Sequence, residues 1–170
     1  MKRCVKCEIT SSASAGGSKR STLLVEERSQ ASREVGGHLF FAFVPALSCK
    51  RCGETYFDGS VMHRFDLHVA SRLADAGVSS GEAFRFLRKA LEMRAADLAV
   101  LLDVSAETVS RWETEKRPVD RGCLAVLGAL VRDQLAGRTA TIEALRALRR
   151  PRPLARKIRL DLTRDLAKTG

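Results

Sequence analysis

Four of the five cysteines in this 170-residue chain form two Cys-x-x-Cys pairs, Cys4/Cys7 and Cys49/Cys52, separated by 41 residues. Two residues between thiolates let both sulfurs reach one ion from a tight turn, so the two pairs point to a single four-thiolate site. The consequence for folding is severe: the chain between Cys7 and Cys49 has to leave the metal and return to it. That segment carries few large side chains, and metal-ligand energy on the order of 10 kcal/mol can stand in for a missing core. We therefore expect one structural Zn2+ per chain, held by Cys4, Cys7, Cys49 and Cys52. Four thiolates leave no open coordination position for water, which argues against zinc catalysis.

The excursion reads as a small antiparallel sheet. Ser11 to Arg20 is rich in Ser, Ala and Gly and reads as a loop, whereas Thr22-Leu-Leu-Val-Glu26 and His38 to Val44 have strand composition. Gly36-Gly37 would join them as a turn. Gly53 follows the second cysteine pair where a knuckle commonly needs positive φ, and Thr55-Tyr-Phe57 reads as a short strand.

From Ser60 the period changes. Val61, Phe65, Val69 and Leu73 recur every four residues and mark a helix from Ser60 to Ala76, closed by Gly77. Glu82–Leu91, Ala95–Leu102, Ala106–Glu113, Val119–Leu135 and Thr141–Leu148 repeat helical patterns with short joins, until Pro151 and Pro153 end the series. The expected fold class is α+β: a zinc-bound antiparallel sheet domain over 1–59, a linking helix over 60–77, an all-α domain over 78–136, and a basic helix and tail over 137–170.

The net charge of +10 suggests a polyanionic partner, but its distribution says more than its sum. Residues 61–136 balance at eleven Lys/Arg against eleven Asp/Glu, while residues 137–170 carry ten against three. The excess is C-terminal, and the run from Arg138 to Lys168 offers phosphate contacts of a sequence-independent kind. Met1 to Cys7 has no apolar run after its basic residues, and the longest apolar stretch, Leu39 to Leu47, falls well short of the roughly 20 residues that span a bilayer. We expect a cytoplasmic protein without a membrane partner, in a reducing compartment where paired thiols hold metal.

Two apolar-striped helices meet at Asp103-Val104, with Ser105 as a good N-cap for the second and Asp103 tolerant of a left-handed conformation. The stretch from Phe86 to Glu113, ending Thr108-Val-Ser-Arg-Trp-Glu113 and followed by Lys116 and Arg117, resembles the helix-turn-helix of phage-repressor-like bacterial regulators. That resemblance implies that Ala106, Glu107, Thr108 and Arg111 face base edges in a major groove. Arg111 has the chemistry for guanine O6/N7, Glu107 for cytosine N4, and Ala106 for a thymine methyl. Val109 and Trp112 would face the core, and Glu113 would pair with Arg88. Where the group usually has a cap and a phosphate-holding Gln, this chain has Arg94 and Ala95, so backbone anchoring falls to Ser105, Arg85, Lys89, Arg94, Lys116 and Arg117.

The combination of an N-terminal Cys-x-x-Cys, the segment Val44-Pro-Ala-Leu-Ser-Cys49-x-x-Cys52-Gly-Glu-x-Tyr56, a linking helix and this helix-turn-helix resembles the MqsA-type antitoxins, the YgiT-type zinc-finger/helix-turn-helix family, over about residues 1–135. The likeness implies a repressor whose zinc domain grips a small ribonuclease toxin and whose helical domain forms a homodimer on a palindromic operator in double-stranded DNA. The alternatives are a stand-alone regulator without a toxin and a zinc/thiol redox-switch interaction protein. An enzyme has no constellation behind it: zinc deaminases pair Pro-Cys-x-x-Cys with His-x-Glu, and none of His38, His63 and His68 is followed two positions on by Glu.

Overall fold

The computed structural model describes residues 4–7 and 24–159. The Ser11–Arg20 loop, the start of the expected first strand at Thr22 and the end of the basic tail lie outside the described residues. The architecture is α+β, a three-stranded antiparallel sheet leading into a series of helices.

Strands β1 (Leu24–Val35) and β2 (His38–Cys49) form a hairpin in unbroken register from Val35↔His38 at the turn to Leu24↔Cys49 at the open end. Gly36 and Gly37 make the turn with φ of +60° and +75°. A two-residue type I′ turn needs positive φ at both positions, which glycine adopts without a Cβ clash. Strand β3 (Thr55–Phe57) adds beside Ala46–Ser48, giving the order β1-β2-β3.

Both long strands run further than their composition suggests. Glu26-Glu27-Arg28-Ser29-Gln30 has weak strand propensity, yet only one face of β1 meets the core: Ala31 and Val35 are buried, while Glu26, Arg28, Gln30, Ser32 and Glu34 are exposed. On β2, Phe40, Ala42 and Val44 pack inward, whereas Leu39, Phe41 and Phe43 stay 65%, 61% and 57% exposed on the outer face.

Helix α1 (Gly59–Asp75) begins at Asp58, whose carboxylate accepts from the Ser60 amide, and buries Phe65, Val69 and Leu73. It is followed by α2 (Gly81–Ala90), α3 (Ala95–Leu102), α4 (Ala106–Glu113), α5 (Arg121–Leu135) and α6 (Ala140–Arg149). Helix α1 lies against α2 and α5. Ala31 and Val35 of the sheet join Leu73, Phe84, Leu87, Leu98, Val109, Trp112, Leu127 and Val131 in one core. Among the described residues no helix is long and apolar enough to cross a membrane.

The start of α2 is pinned against the end of α4. The Gly81 amide donates to Glu115 Oε1 at 3.0 Å, and a Cβ at Gly81 would overlap the Trp112 carbonyl oxygen and stand 2.8 Å from Glu115 Cγ. Backbone cannot yield as a flexible side chain can. Gly81→Ala should therefore cost about 1–3 kcal/mol, the usual range for overpacking, measured by denaturant unfolding. An unchanged midpoint would show that the two helix ends are free to separate.

Candidate metal centre and candidate nucleic-acid interface

The turn after β2 builds half of the four-cysteine cluster. The Gly53 amide donates to the Cys49 carbonyl at 2.8 Å and the Cys49 amide to the Glu54 carbonyl at 2.9 Å. With Gly53 at φ +73°, this knuckle turns Cys52 back beside Cys49. The other half is a helical turn at residues 5–7, with Cys4 immediately before it. Lys6 Nζ to Glu54 Oε2, at 2.7 Å, links the two halves across the site.

All four sulfurs lie within 4.8 Å of one another, with Cys4–Cys52 at 3.6 Å and Cys7–Cys49 at 3.8 Å. A disulfide would need about 2 Å, whereas a tetrahedral ion with metal–sulfur bonds of about 2.3 Å needs sulfur–sulfur edges of about 3.8 Å. The donor set therefore fits a four-thiolate metal ion.

The thiols are not equivalent. The Tyr56 hydroxyl lies 3.3 Å from Cys4 Sγ, and its hydrogen bond lowers the Cys4 pKa to about 6. Cys7 goes the other way: desolvation, followed by the neighbouring thiols, pushes it up to about 12. Cys49 is lowered by the backbone amides of Cys52 and Arg51. Four sulfurs this close cannot all carry negative charge without a cation between them, so an ion held there would displace the remaining protons. Tyr56 and the Lys6–Glu54 pair are the supporting residues that reading the cysteines alone overlooks. Their signal is positional, since Glu54 immediately precedes β3 and Tyr56 lies two residues on.

At the second expected site, α3 ends on Asp103 with φ 56° and ψ 43°, a left-handed residue that turns the chain sharply. The Val104 amide closes the turn on the Ala99 carbonyl at 3.0 Å. Ser105 then caps α4, its hydroxyl accepting from the Thr108 amide at 3.1 Å. Val109 and Trp112 are buried, and Trp112 meets Phe84 edge-on at a centroid distance of 5.4 Å. The inward face of α4 is thus anchored on α2.

The outward face carries the residues assigned to base edges. Ala106, Glu107 and Arg111 are exposed and Thr108 is half-buried, its hydroxyl 2.9 Å from Ser105 Oγ. Arg111 Nη2 reaches Glu107 Oε1 at 2.6 Å, one turn back along the helix. Of the residues assigned to phosphates, Ser105, Arg85, Lys89, Lys116 and Arg117 are exposed, Arg85 with its Nε 3.9 Å from Glu113 Oε2, while Arg94 is forked onto Asp97 at 2.7 and 2.8 Å. The Glu113–Arg88 pair is present, with Arg88 donating to both carboxylate oxygens.

No family model matches the chain, and no curated protein or solved structure does.

Proposed function

We propose that the protein is a cytoplasmic, zinc-containing, DNA-binding transcriptional repressor and the antitoxin of a two-protein toxin–antitoxin pair. The observation that carries the DNA-binding reading is the α3–Asp103–α4 joint. A left-handed residue, a serine cap and two buried anchors, Val109 and Trp112, fix α4 on the helical body while Glu107 and Arg111 project to solvent. A helix held in this way can enter a major groove with its first turn against base edges. Eight residues of one helix read too few bases for useful specificity, so the reading includes a homodimer on a palindromic operator.

Zinc is the ion best suited to a closed four-thiolate site, where it serves structure. The toxin-binding component rests on the resemblance to MqsA-type antitoxins. The exposed Leu39-Phe41-Phe43 lane of the sheet suits it, because an apolar surface of this kind gains most from a protein partner. A stand-alone regulator would share every feature except that partner. The thiol-switch alternative draws on exposed Cys52 beside the low-pKa Cys4, and it requires oxidant-driven metal release to abolish DNA binding.

Arg111→Ala tests the DNA-binding reading. Loss of a bidentate guanine contact should reduce preference for the DNA upstream of the gene over a random duplex by roughly ten- to a hundredfold. Equal losses on both DNAs would remove Arg111 from base reading.

A further inference from the structure

We propose that residues 138–159, comprising α6 and the extended run behind it, form a second phosphate-binding element that lies along the DNA backbone beside α3. The proposal rests on the helix-turn-helix reading for its placement, and its own observation is uncompensated charge. Many cations of the folded body are ion-paired, among them Arg33 with Asp66, Arg88 with Glu113, Arg94 with Asp97, Arg111 with Glu107 and Arg132 with Asp75. Arg146, Arg149, Arg150, Arg152, Arg156, Lys157 and Arg159 are all exposed, and among the described residues none of them makes an ion pair. The same stretch has a single acid, Glu143, which accepts from Thr139.

The start of this stretch is not a free tail. Asp133, buried near the end of α5, accepts from the Thr141 amide at 2.7 Å through Oδ2 and from Arg138 Nε at 3.2 Å through Oδ1. The Arg138 amide also donates to the Asp133 carbonyl at 2.7 Å. One carboxylate thereby holds the first turn of α6, and Ile142 lines a cleft with Leu91, Met93 and Leu130. That seats α6 against α5 and against α3. In helix-turn-helix docking the first motif helix crosses the phosphate backbone while the second enters the groove. A cationic helix fixed beside α3 therefore stands where phosphates run.

Duplex DNA suits the element better than a lipid surface. An interfacial membrane segment needs a continuous amphipathic helix, usually with aromatic anchors. Here Pro151 and Pro153 follow directly on α6, residues 150–159 are non-helical, and residues 138–159 contain no Phe, Trp or Tyr.

The test is the salt dependence of binding by the full, metal-loaded chain carrying Arg146→Gln, Arg149→Gln, Arg150→Gln and Arg152→Gln together. All four side chains are exposed, so the melting temperature should not move. Each phosphate contact contributes about 0.9 to the slope of log affinity against log salt, so losing four should flatten it by about 3 to 4. The flattening should be alike on a random duplex and on the upstream DNA, with preference between them retained. An unchanged slope on both overturns the proposal, as does a loss confined to phosphatidylserine vesicles. If the slope flattens but the unmodified chain shows no preference for the upstream DNA, the phosphate contact stands and the base-reading role of α4 falls.

Discussion

Chelation, or replacement of Cys49 by Ala, should remove metal-linked stabilisation on the order of 10 kcal/mol and unfold the cysteine end of the sheet before the helices. The packing explains why the loss starts there. At the turn end, Ala31 and Val35 are buried in the core shared with the helices, so that end keeps apolar contacts without metal. At the open end, Cys4 and Cys49 are themselves among the most buried side chains, and β3 pairs over only three residues. Hydrogen exchange should show protection vanishing at Cys49 and Tyr56 and persisting in α2 and α5. Metal analysis should give one ion per chain. Reduced protein prepared with ample zinc yet holding none, or amide protection indifferent to chelation, would remove the site.

The pH dependence has a definite sign. Metal competes with protons for all four sulfurs, so affinity rises with pH. Cys4, lowered to about 6, is mostly thiolate at neutral pH, whereas Cys7, raised to about 12, would lose its proton to solvent only when a bound ion displaces it. Affinity should accordingly fall more steeply once pH drops through about 6, where Cys4 begins to protonate as well.

What could be read from the sequence follows local chemistry. Gly36-Gly37, the Asp103 turn, the Ser105 cap and the Phe65–Val69–Leu73 stripe each announce themselves within a few residues, because φ preference, capping and helical period act over that range. The cysteine pairs extend that reach because their spacing fits one four-thiolate site, a geometry that holds at any sequence separation. The full length of β1 was not legible: residues 26–30 are polar and are carried by register with β2, which is fixed at the distant turn. Asp133 is a second such case. In a helical pattern it reads as one more surface acid, and its burial becomes visible only when Arg138 and the first turn of α6 fold back onto it. The role of Gly81 likewise depends on the Trp112 carbonyl, which lies at the far end of the motif.

Glu113→Ala should be among the most damaging polar changes in the helical body, costing about 3–5 kcal/mol. Both side chains of the Arg88–Glu113 pair are only 11% exposed. Arg88 Nε donates to Oε1 at 2.5 Å and Nη2 to Oε2 at 2.9 Å, while Nη1 donates to the Met93 carbonyl at 2.7 Å. This is a forked, charge-assisted contact joining α2 to the last residue of α4 and to the turn ahead of α3. Removing the carboxylate strands a guanidinium that still cannot reach bulk water, and at roughly 2–4 °C per kcal/mol for a chain of this size the melting temperature should fall by about 10 °C. Glu113→Gln keeps the shape and one acceptor and should lose less, about 1–3 kcal/mol. The decisive measurement is the double variant Arg88→Met, Glu113→Leu. With no buried charge left unpaired it should recover most of the stability, because an apolar pair of similar volume often equals or exceeds a buried ion pair. If Glu113→Ala costs less than about 1 kcal/mol, the pair behaves as a solvated surface contact. In that event the orientation of α4 is set by Val109 and Trp112 alone.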